Sequence, residues 1–305
     1  MLEIILDVDT GVDDAFALLF AARHPEIKIL GITCVDGNVN LQKVCDNTFH
    51  VLDMAGAGEI PVAAGAQRPL MGESLYAEHV HGSDGLGNMS KKGSARKLDS
   101  RHAVTLIRDL IESNPNAILV PVGPLTNIAL FIRTYPDTAR KVKRMVIMGG
   151  SASEGNATAT AEFNIWHDPE AAHIVFDSGI PITMYGLDVF YDLRVDGSIV
   201  NQLRERGSES AIFASKLIEF MLGHMGPAIT LGDYGAVAAA LDPGKTVMES
   251  MFVAVDKTDG PNRGQTICDR RPDHPIFQLN RVGKKVDVVM KIDGSAFIKD
   301  WVAVF

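Results

Sequence analysis

The chain has 305 residues, of which 46% are hydrophobic and 22% are charged, and its formal net charge is -9. This composition is ordinary for a globular protein, and the length suits one large domain or two smaller ones. The excess of acidic residues argues against a nucleic-acid backbone or an anionic membrane as partner and favours cations or neutral polar ligands.

Strand-like and helix-like patterns alternate from the N-terminus onward. The apolar run 3–8 predicts a strand buried on both faces, and apolar residues at helical spacing over 13–24 predict a helix. A second strand is predicted at 27–35 and a second helix at 40–56. This opening is typical of a parallel sheet with helices on its faces.

The same alternation continues through the rest of the chain. The further predicted helices are 103–113, 125–136, 169–179, 208–224 and 234–241, and the further predicted strands are 117–122, 144–150, 181–186, 251–256 and 285–293. Two glycine-rich segments, 77–94 and 223–235, are predicted to be mobile loops of the kind that form lids or binding sites. The predicted fold is α/β, with an open, mostly parallel central sheet flanked by helices, and ligands of such sheets bind beyond the carboxyl ends of the strands.

The cysteines and the N-terminus bear on the cellular compartment. Cys34, Cys45 and Cys268 are scattered and show no CxxC spacing, so we expect reduced thiols in a cytoplasmic protein. The stretch "MLEIILDVDTG" has no basic region before its apolar run, and we expect no signal peptide. No apolar stretch of the sequence approaches the ~18 residues of a membrane span.

The stretch "LDVDTGVDDA" (6–15) places four aspartates within eight positions. Asp13 and Asp14 open the first helix, where acidic side chains oppose the helix dipole, and helix capping accounts for one of them or both. Asp7 and Asp9 end a strand that we expect to be central, where unpaired carboxylates are costly. Capping therefore leaves two of the four carboxylates without an explanation.

Two chemical interpretations of the aspartate cluster remain open at this point. The first is phosphoryl transfer, because "DVDTG" resembles the D-x-D-x-T signature of haloacid-dehalogenase-like phosphatases, with Asp7 as nucleophile and Mg²⁺ as cofactor. The lysine and acidic pair that this family also uses have no convincing counterpart downstream. The second is a Ca²⁺ site built from oxygen ligands, although the spacing does not fit an EF-hand loop.

A resemblance over nearly the whole chain separates these interpretations. "DVDTGVDDAFAL" (7–18) resembles the D-x-D-x-G-x-D-D signature of the inosine–uridine-preferring nucleoside hydrolases. The segments that resemble further blocks of that family, in its order, are "GITCVDGNVN" (31–40), "HVHGSDGLG" (79–87), "VPVGPLTNIAL" (120–130), "EGNATATAEFNIWHDPEAA" (154–172) and "GDYGAVAAALDP" (232–243).

The resemblance implies a fold, a reaction and a set of site residues. The fold is a Rossmann-like nucleoside hydrolase domain spanning 1–305. The reaction is Ca²⁺-dependent hydrolysis of the N-glycosidic bond of a ribonucleoside, with Asp9 as general base on a water held by the ion. The implied Ca²⁺ ligands are Asp9, Asp14, Asp233 and the backbone carbonyl of Val122. The residues implied to bind the ribose hydroxyls are Asp13, Asn38, Asn156, Glu162 and Asn164, with Asp7 supporting the cluster from behind.

The sequence departs from the family on the side of the leaving base. Well-studied members carry a histidine before the C-terminal aspartate, where this chain has Gly232. The loss of a side chain predicts room for a larger or modified base. Either the base leaves without a strong acid, or another residue acts there. The residues that we consider for the base side are His81, His224, Tyr234 and Phe163.

Several further expectations follow. The resemblance implies a homodimer or homotetramer with a small ribonucleoside as its partner, acting in nucleoside catabolism and purine or pyrimidine salvage. The alternatives are a nucleoside- or ribose-binding protein with weak or lost turnover, which Gly232 keeps open, and the Mg²⁺ phosphatase using Asp7. We also expect the side chains of Thr126 and Asn127 to cap the helix after Pro124.

Overall fold

The computed structural model describes residues 1–91, 93–272, 274–277 and 279–305. The strands are β1 (Leu2–Val8), β2 (Ile27–Cys34), β3 (Val62–Ala64), β4 (Ile118–Pro121), β5 (Met145–Met148), β6 (Ile182–Tyr185), β7 (Arg194–Val195), β8 (Ile229–Thr230), β9 (Thr246–Val255), β10 (Thr266–Asp269) and β11 (Lys284–Ile292). Among these described residues, nine strands form one sheet in the order β10-β9-β11-β6-β5-β4-β1-β2-β3, and β7 pairs with β8 in a separate ribbon.

The helices follow the alternation expected of an α/β protein. They are α1 (Val12–Arg23), α2 (Leu41–Met54), α3 (Glu78–His81), α4 (Ala103–Ser113), α5 (Thr126–Thr134), α6 (Pro136–Ala139), α7 (Phe163–His167), α8 (Pro169–Phe176), α9 (Leu187–Phe190), α10 (Gly197–Arg206), α11 (Glu209–Met225), α12 (Tyr234–Leu241) and α13 (Gly294–Ala303). None of the helices in the described ranges is long and apolar enough to cross a membrane.

Strand β1 lies inside the sheet and contributes side chains to both of its faces. Leu6 and Val8 belong to the hydrophobic core on one face, and Ile5 belongs to the core on the other. Burial on both faces is the reason that the sequence of this strand is a continuous apolar run. β1 pairs in parallel with β2 and β4, in registers that place Asp7 opposite Thr33 and Pro121. The loops that follow these three strands therefore leave the sheet at the same edge.

The predicted fold class is confirmed, and the predicted helices and strands are present with their ends shifted by a few residues. The sequence did not predict the antiparallel end of the sheet, where β9 pairs with both β10 and β11 while β11 pairs in parallel with β6. The predicted loop 77–94 contains the short helix α3, and its residue 92 lies outside the described residues.

The C-terminal helix α13 supports α1 from behind. Trp301 is fully buried, its indole nitrogen donates to the backbone carbonyl of Phe16 at 3.1 Å, and its ring meets the ring of Phe16 edge-on at 5.5 Å. Because α1 begins with Asp13 and Asp14, this contact couples the end of the chain to the position of the aspartate cluster.

We expect Trp301→Ala to lower the free energy of unfolding by about 3–5 kcal/mol, since it opens a cavity and leaves the α1–α13 contact unfilled. Urea unfolding followed by circular dichroism measures this change. Val247→Ala, at a side chain that is 56% exposed, serves as control and should change stability by about 0.5 kcal/mol or less. Equal effects of the two substitutions would contradict the supporting role of Trp301.

Candidate active site

Asp9 lies one residue beyond β1 and is buried. The backbone N–H of Asn38 donates to Oδ2 of Asp9 at 2.8 Å, and the backbone N–H of Asp9 donates to Oδ1 of Asp14 at 3.2 Å. A Cβ atom at Gly37 would lie 2.1 Å from Oδ2 of Asp9. Glycine at position 37 thus lets the loop after β2 approach the carboxylate closely enough for the Asn38 amide to hold it.

Asp14 ties the start of α1 to this loop. Its Oδ2 accepts from the backbone N–H of Gly11 at 2.8 Å, which caps the helix, and from the side-chain amide of Asn38 at 3.2 Å. The side chain of Asp14 therefore both caps helix α1 and belongs to the carboxylate cluster. One carboxylate oxygen each of Asp13, Asp14 and Asp233 lie within 4.8 Å of one another, with Asp9 adjoining the set through Asp14.

Burial raises the pKa values of three carboxylates in this cluster. Burial raises the pKa of Asp9 well above its ordinary value, with a further contribution from the negative charge of Asp14. Burial, with the nearby charge of Asp13, raises the pKa of Asp14 to about 7. Burial followed by the charge of Asp13 likewise raises the pKa of Asp233. Within the described part of the chain, the charged groups that act most strongly on these three carboxylates are all acidic.

These observations fit a bound cation. Oδ1 of Asp9 is buried and has no hydrogen-bond partner among the described residues. The cluster offers only oxygen donors, which is the ligand type of hard divalent cations such as Ca²⁺ and Mg²⁺. A positive charge at this position would remove both the repulsion and the burial cost that raise the pKa values. The carboxylates that lie close enough together to share a cation are Asp13, Asp14 and Asp233, and Asp9 adjoins them through Asp14.

Val122, Glu162 and Asn164 meet beside the cluster. The carbonyl of Val122 accepts from the side-chain amide of Asn164 at 2.8 Å, which leaves one of its two lone pairs for a cation. Since the same amide also donates to the carbonyl of Met148 at 3.1 Å, the side-chain oxygen of Asn164 is the atom left for a ligand. Glu162 precedes α7 and accepts three backbone N–H bonds, including that of Gly150 at 2.9 Å, and burial raises its pKa to about 7.

Asp7 supports the cluster from the interior of the sheet. Its Oδ1 accepts from the hydroxyl of Thr33 at 2.5 Å and from the side-chain amide of Asn127 at 2.8 Å. The prediction that Thr126 and Asn127 cap α5 is wrong, because Thr126 donates to Asp168 and Asn127 bonds across the sheet. The side-chain amide of Asn127 also donates to the backbone carbonyl of Cys34 at 3.0 Å, so this side chain links α5 to β1 and β2.

A cavity of about 570 Å³ opens above the cluster. The predicted site residues that line it are Asp13, Asn38, His81, Val122, Asn156, Glu162, Phe163, Asn164 and Asp233. Asp13 and the buried members of this set form the floor of the cavity, while the predicted residues Asp9 and Asp14 are not part of its lining. Asn156 lies at the exposed end, where its side-chain oxygen accepts from the backbone N–H of Phe163 at 2.8 Å. All six segments that resemble family blocks thus meet at one concave surface, although they are far apart in sequence.

Only some of the residues considered for the base side reach this cavity. His81 is buried, accepts the backbone N–H of Val12 on Nδ1 at 3.2 Å, and burial lowers its pKa. This pattern leaves a neutral ring with its proton on Nε2. Phe163 also lines the cavity, at the start of α7.

His224 and Tyr234 lie elsewhere, which corrects their assignment to the base side. His224 is exposed near the end of α11, where its ring contacts Phe220 and its Nδ1 lies 2.8 Å from the Phe220 carbonyl one helical turn earlier. Tyr234 points into the core because α12 packs on α1; its hydroxyl donates to the carbonyl of Phe297 at 2.7 Å and its ring meets Phe20.

Gly232 does not leave an empty space in front of Asp233. It adopts a φ of +52°, and a Cβ atom there would lie 2.8 Å from the ring of Phe190 and 3.1 Å from Cβ of Asp13. The ring of Phe190 therefore fills the place in which a larger side chain at 232 would lie, and the expectation of extra room for the base at this position is wrong. No pattern in the sequence predicts a contact between these two residues.

A second polar group, unexpected from the sequence, lies behind one wall of the cavity. The buried carboxylate of Asp36 accepts from the hydroxyls of Ser74 at 2.5 Å and Tyr76 at 3.3 Å, and His167 approaches it at 3.6 Å. These contacts hold the segment before α3, which carries Tyr76 into the cavity wall. Asp36 belongs to the sequence motif "DGN", but only the fold brings Ser74, Tyr76 and His167 close to it.

Comparison with known proteins agrees with this geometry. The sequence profile of a family described as inosine-uridine preferring nucleoside hydrolase matches residues 4–299. The chain is 41% identical over 292 residues to the inosine-uridine preferring nucleoside hydrolase of Leishmania major, covering 93% of each. It is 38% identical over 307 residues to the pyrimidine-specific ribonucleoside hydrolase RihB of Escherichia coli O157:H7, covering 98% of this chain and 94% of that protein.

The fold is similar to solved structures over its whole length. The purine-preferring ribonucleoside hydrolase from Gardnerella vaginalis superposes with a TM-score of 0.90 at 32% identity, covering 99% of this chain and 97% of that one. These relatives are all described as nucleoside hydrolases, but they are described as preferring different bases. The comparison therefore does not indicate which base this protein prefers.

The stability of the metal-free protein should fall as pH rises from about 4 to 7. The pKa values of Asp14 and Glu162 are about 7 in the folded protein, so it retains protons that the unfolded chain releases in this window. A bound cation favours the ionised carboxylates, so Ca²⁺ added after EDTA treatment should raise Tm more at about pH 8 than at about pH 5.5. Thermal unfolding at both pH values measures this difference. An equal gain at both, or no gain at either, would contradict a cation site in this cluster.

Proposed function

The chain belongs to the inosine-uridine preferring nucleoside hydrolase family, whose members cleave N-glycosidic bonds, and we propose that it converts ribonucleosides to ribose and free base with Asp9 as general base and Ca²⁺ as its bound cation. The observation that carries this proposal is the carboxylate cluster, of which Asp13 and Asp233 line the floor of a cavity together with Glu162 and Asn164.

The floor groups bind and orient the ribose. Asp13, Glu162 and the side-chain oxygen of Asn164 accept hydrogen bonds, which is the complement of vicinal sugar hydroxyls. Each of these side chains is held by the backbone around it, as Glu162 is by three N–H groups, so little reorganisation accompanies binding. The acidic surroundings also stabilise positive charge that develops on the sugar ring as the bond to the base breaks.

Asp9 accepts the proton of the attacking water. As the water oxygen forms its bond to the anomeric carbon, its proton moves to the carboxylate, and the electron pair of the glycosidic bond leaves with the base. The Asn38 amide holds Oδ2 of Asp9, while Oδ1 has no partner in the described part of the chain and is the atom available for the proton. His81, neutral and with its proton on Nε2, is the donor that we assign to the substrate side of the cavity.

The donor set supports Ca²⁺. Asp9, Asp14, Asp233 and the Val122 carbonyl would hold the ion, and hydroxyls of the sugar would complete a shell of the size that Ca²⁺ prefers. When bound, the ion supplies positive charge that acidifies water and attracts the sugar hydroxyls.

The alternatives do not match the structure. A phosphatase mechanism needs a nucleophile that reaches its substrate, but Asp7 is a buried residue of β1 whose Oδ1 accepts from Thr33 and Asn127. Asp9, in contrast, is joined through Asp14 to Asp13 and Asp233, which line the cavity. Family membership favours an enzyme over a ribose-binding protein without turnover. The cytoplasmic location, the homo-oligomeric state and the role in salvage stay predictions.

Asp9→Asn should lower kcat by about 10²–10⁴-fold, because the amide cannot accept the proton of water. Release of free base from a panel of ribonucleosides measures the loss, and circular dichroism verifies the fold. Asp137→Asn makes the same chemical change at a side chain that is 87% exposed and should retain full activity. Full activity in the Asp9 variant would exclude the proposed base.

A 2′-deoxyribonucleoside should be cleaved with a kcat/KM lower by about a hundredfold or more than its ribose counterpart. The floor is built to bind both hydroxyls, and loss of one leaves buried polar groups unpaired. Steady-state hydrolysis of a matched pair with the same base measures the ratio. Equal rates on the two sugars would place the ribose elsewhere in the cavity.

A further inference from the structure

The turn between β2 and α2 contacts both the floor of the cavity and one of its walls. Towards the floor, the backbone N–H of Asn38 donates to Asp9 and its side-chain amide donates to Asp14. Towards the wall, the backbone carbonyl of Asn38 accepts the N–H of Ala77 at 3.0 Å. We call residues 74–81, which include α3, the wall segment, because Tyr76 and most of its other residues line the cavity.

Asp36 lies in the same turn and bonds to the start of the wall segment. Its Oδ2 accepts from the hydroxyl of Ser74 at 2.5 Å, and its Oδ1 accepts from the hydroxyl of Tyr76 at 3.3 Å. Nε2 of His167 lies 3.6 Å from Oδ2, and the side chains of Asp36 and His167 are each 1% exposed. Because so little water reaches this carboxylate, its hydrogen bonds to the wall segment meet little competition from solvent.

The first residues of the wall segment depend on few contacts. Leu75 and Tyr76 are 55% and 41% exposed, so apolar packing holds them weakly. Among the described residues, two of the three hydrogen bonds that join residues 74–77 to the turn before α2 go to Asp36, and the third goes to Asn38. Asp36 is therefore the main attachment of this stretch to the turn that also holds Asp9.

The residues of this attachment do not themselves line the cavity. Asp36, Ser74 and His167 are absent from its lining, whereas Tyr76 and Ala77 belong to it. A ligand in the cavity would therefore meet the wall segment without touching the carboxylate that holds it. Any effect of Asp36 or Ser74 on ligand binding must pass through the position of the wall segment.

We propose that Asp36 is a positioning residue for substrate binding, which holds the wall segment through the Ser74 hydroxyl in the place where it completes the cavity. This inference rests on the proposed function, since the ligand that the wall meets is the ribonucleoside. A wall that is in place before binding costs the substrate no ordering, whereas a displaced wall lowers the apparent affinity by the fraction of molecules that are not competent to bind.

Ser74→Ala removes the attachment and leaves the floor and the cavity lining unchanged. With inosine and uridine as substrates for the full chain, we expect KM to rise about tenfold and kcat to change less than twofold, because the molecules with the wall in place still react at the normal rate. Ser198→Ala removes a matched bond, in which the hydroxyl donates to Asp196 at 2.6 Å at an exposed site outside the cavity lining, and KM should stay constant. A constant KM in the Ser74 variant, with or without a fall in kcat, would overturn the inference.

Hydrogen exchange tests the attachment without catalysis. The N–H groups of Ala77 and His81 are bonded to the carbonyls of Asn38 and Ala77. In Ser74→Ala we expect these amides to exchange about tenfold faster, and in Ser198→Ala at the unaltered rate. Unchanged exchange in a Ser74 variant whose parent cleaves ribonucleosides would overturn the inference and leave the proposed function intact. Failure of the unaltered chain to cleave any ribonucleoside would instead overturn the proposed function.

A double variant tests whether Asp36 acts through Ser74. Asp36→Asn keeps the shape of the side chain and removes the charge that strengthens its hydrogen bonds, so KM should rise. Since the two substitutions weaken the same contact, the KM of Asp36→Asn combined with Ser74→Ala should lie within about twofold of that of Ser74→Ala alone. A KM raised by the product of the two single effects would show that the residues act independently and would overturn the inference. Circular dichroism verifies the fold of each variant.

Discussion

The burial of several carboxylates at one edge of a parallel sheet is the constraint on which this structure depends. Asp9, Asp14 and Asp233 lie close together and away from water, where burial and mutual repulsion raise their pKa values. Such an arrangement is tolerable when each anion has donors and a cation is available. The backbone amides of Gly11 and Asn38 supply the donors. The cluster is therefore left with a demand for positive charge, which the proposed cation would meet.

Much of the surrounding structure serves to hold these groups still. Glycine at position 37 allows the loop after β2 to touch the Asp9 carboxylate, and Asn127 reaches across the sheet to fix Asp7 behind it. Trp301, from the last helix, packs beneath α1 and so supports the turn that carries Asp14. Residues from the two ends of the chain therefore determine the position of one carboxylate cluster.

Function divides between the two ends of the cavity. The floor is polar and rigid, and its chemistry follows from acceptors that are held by backbone donors. The mouth is apolar and partly uncovered, and the ring of Phe190 fills the place in which a side chain at position 232 would lie. The proposed reaction uses groups at the floor, while the mouth is lined by side chains such as Tyr191, which comes from a segment outside the recognised motifs.

The sequence by itself determined the α/β class and the order of the elements, because strand and helix periodicity are local. It named the floor residues only through the resemblance of motifs such as "DVDTGVDD" and "EFN" to a known family. Contacts between distant segments were decided only by the tertiary structure. Asn127 has the sequence context of a helix cap and instead bonds to Asp7, 120 positions away. Tyr234 directly follows Asp233, and His224 lies nine positions before it in the chain. Neither side chain reaches the cavity, because the orientation of a side chain on a helix depends on which neighbour the helix packs against. The contact between Gly232 and Phe190 was likewise decided by the tertiary structure, because packing between distant residues produces no periodic pattern in the sequence.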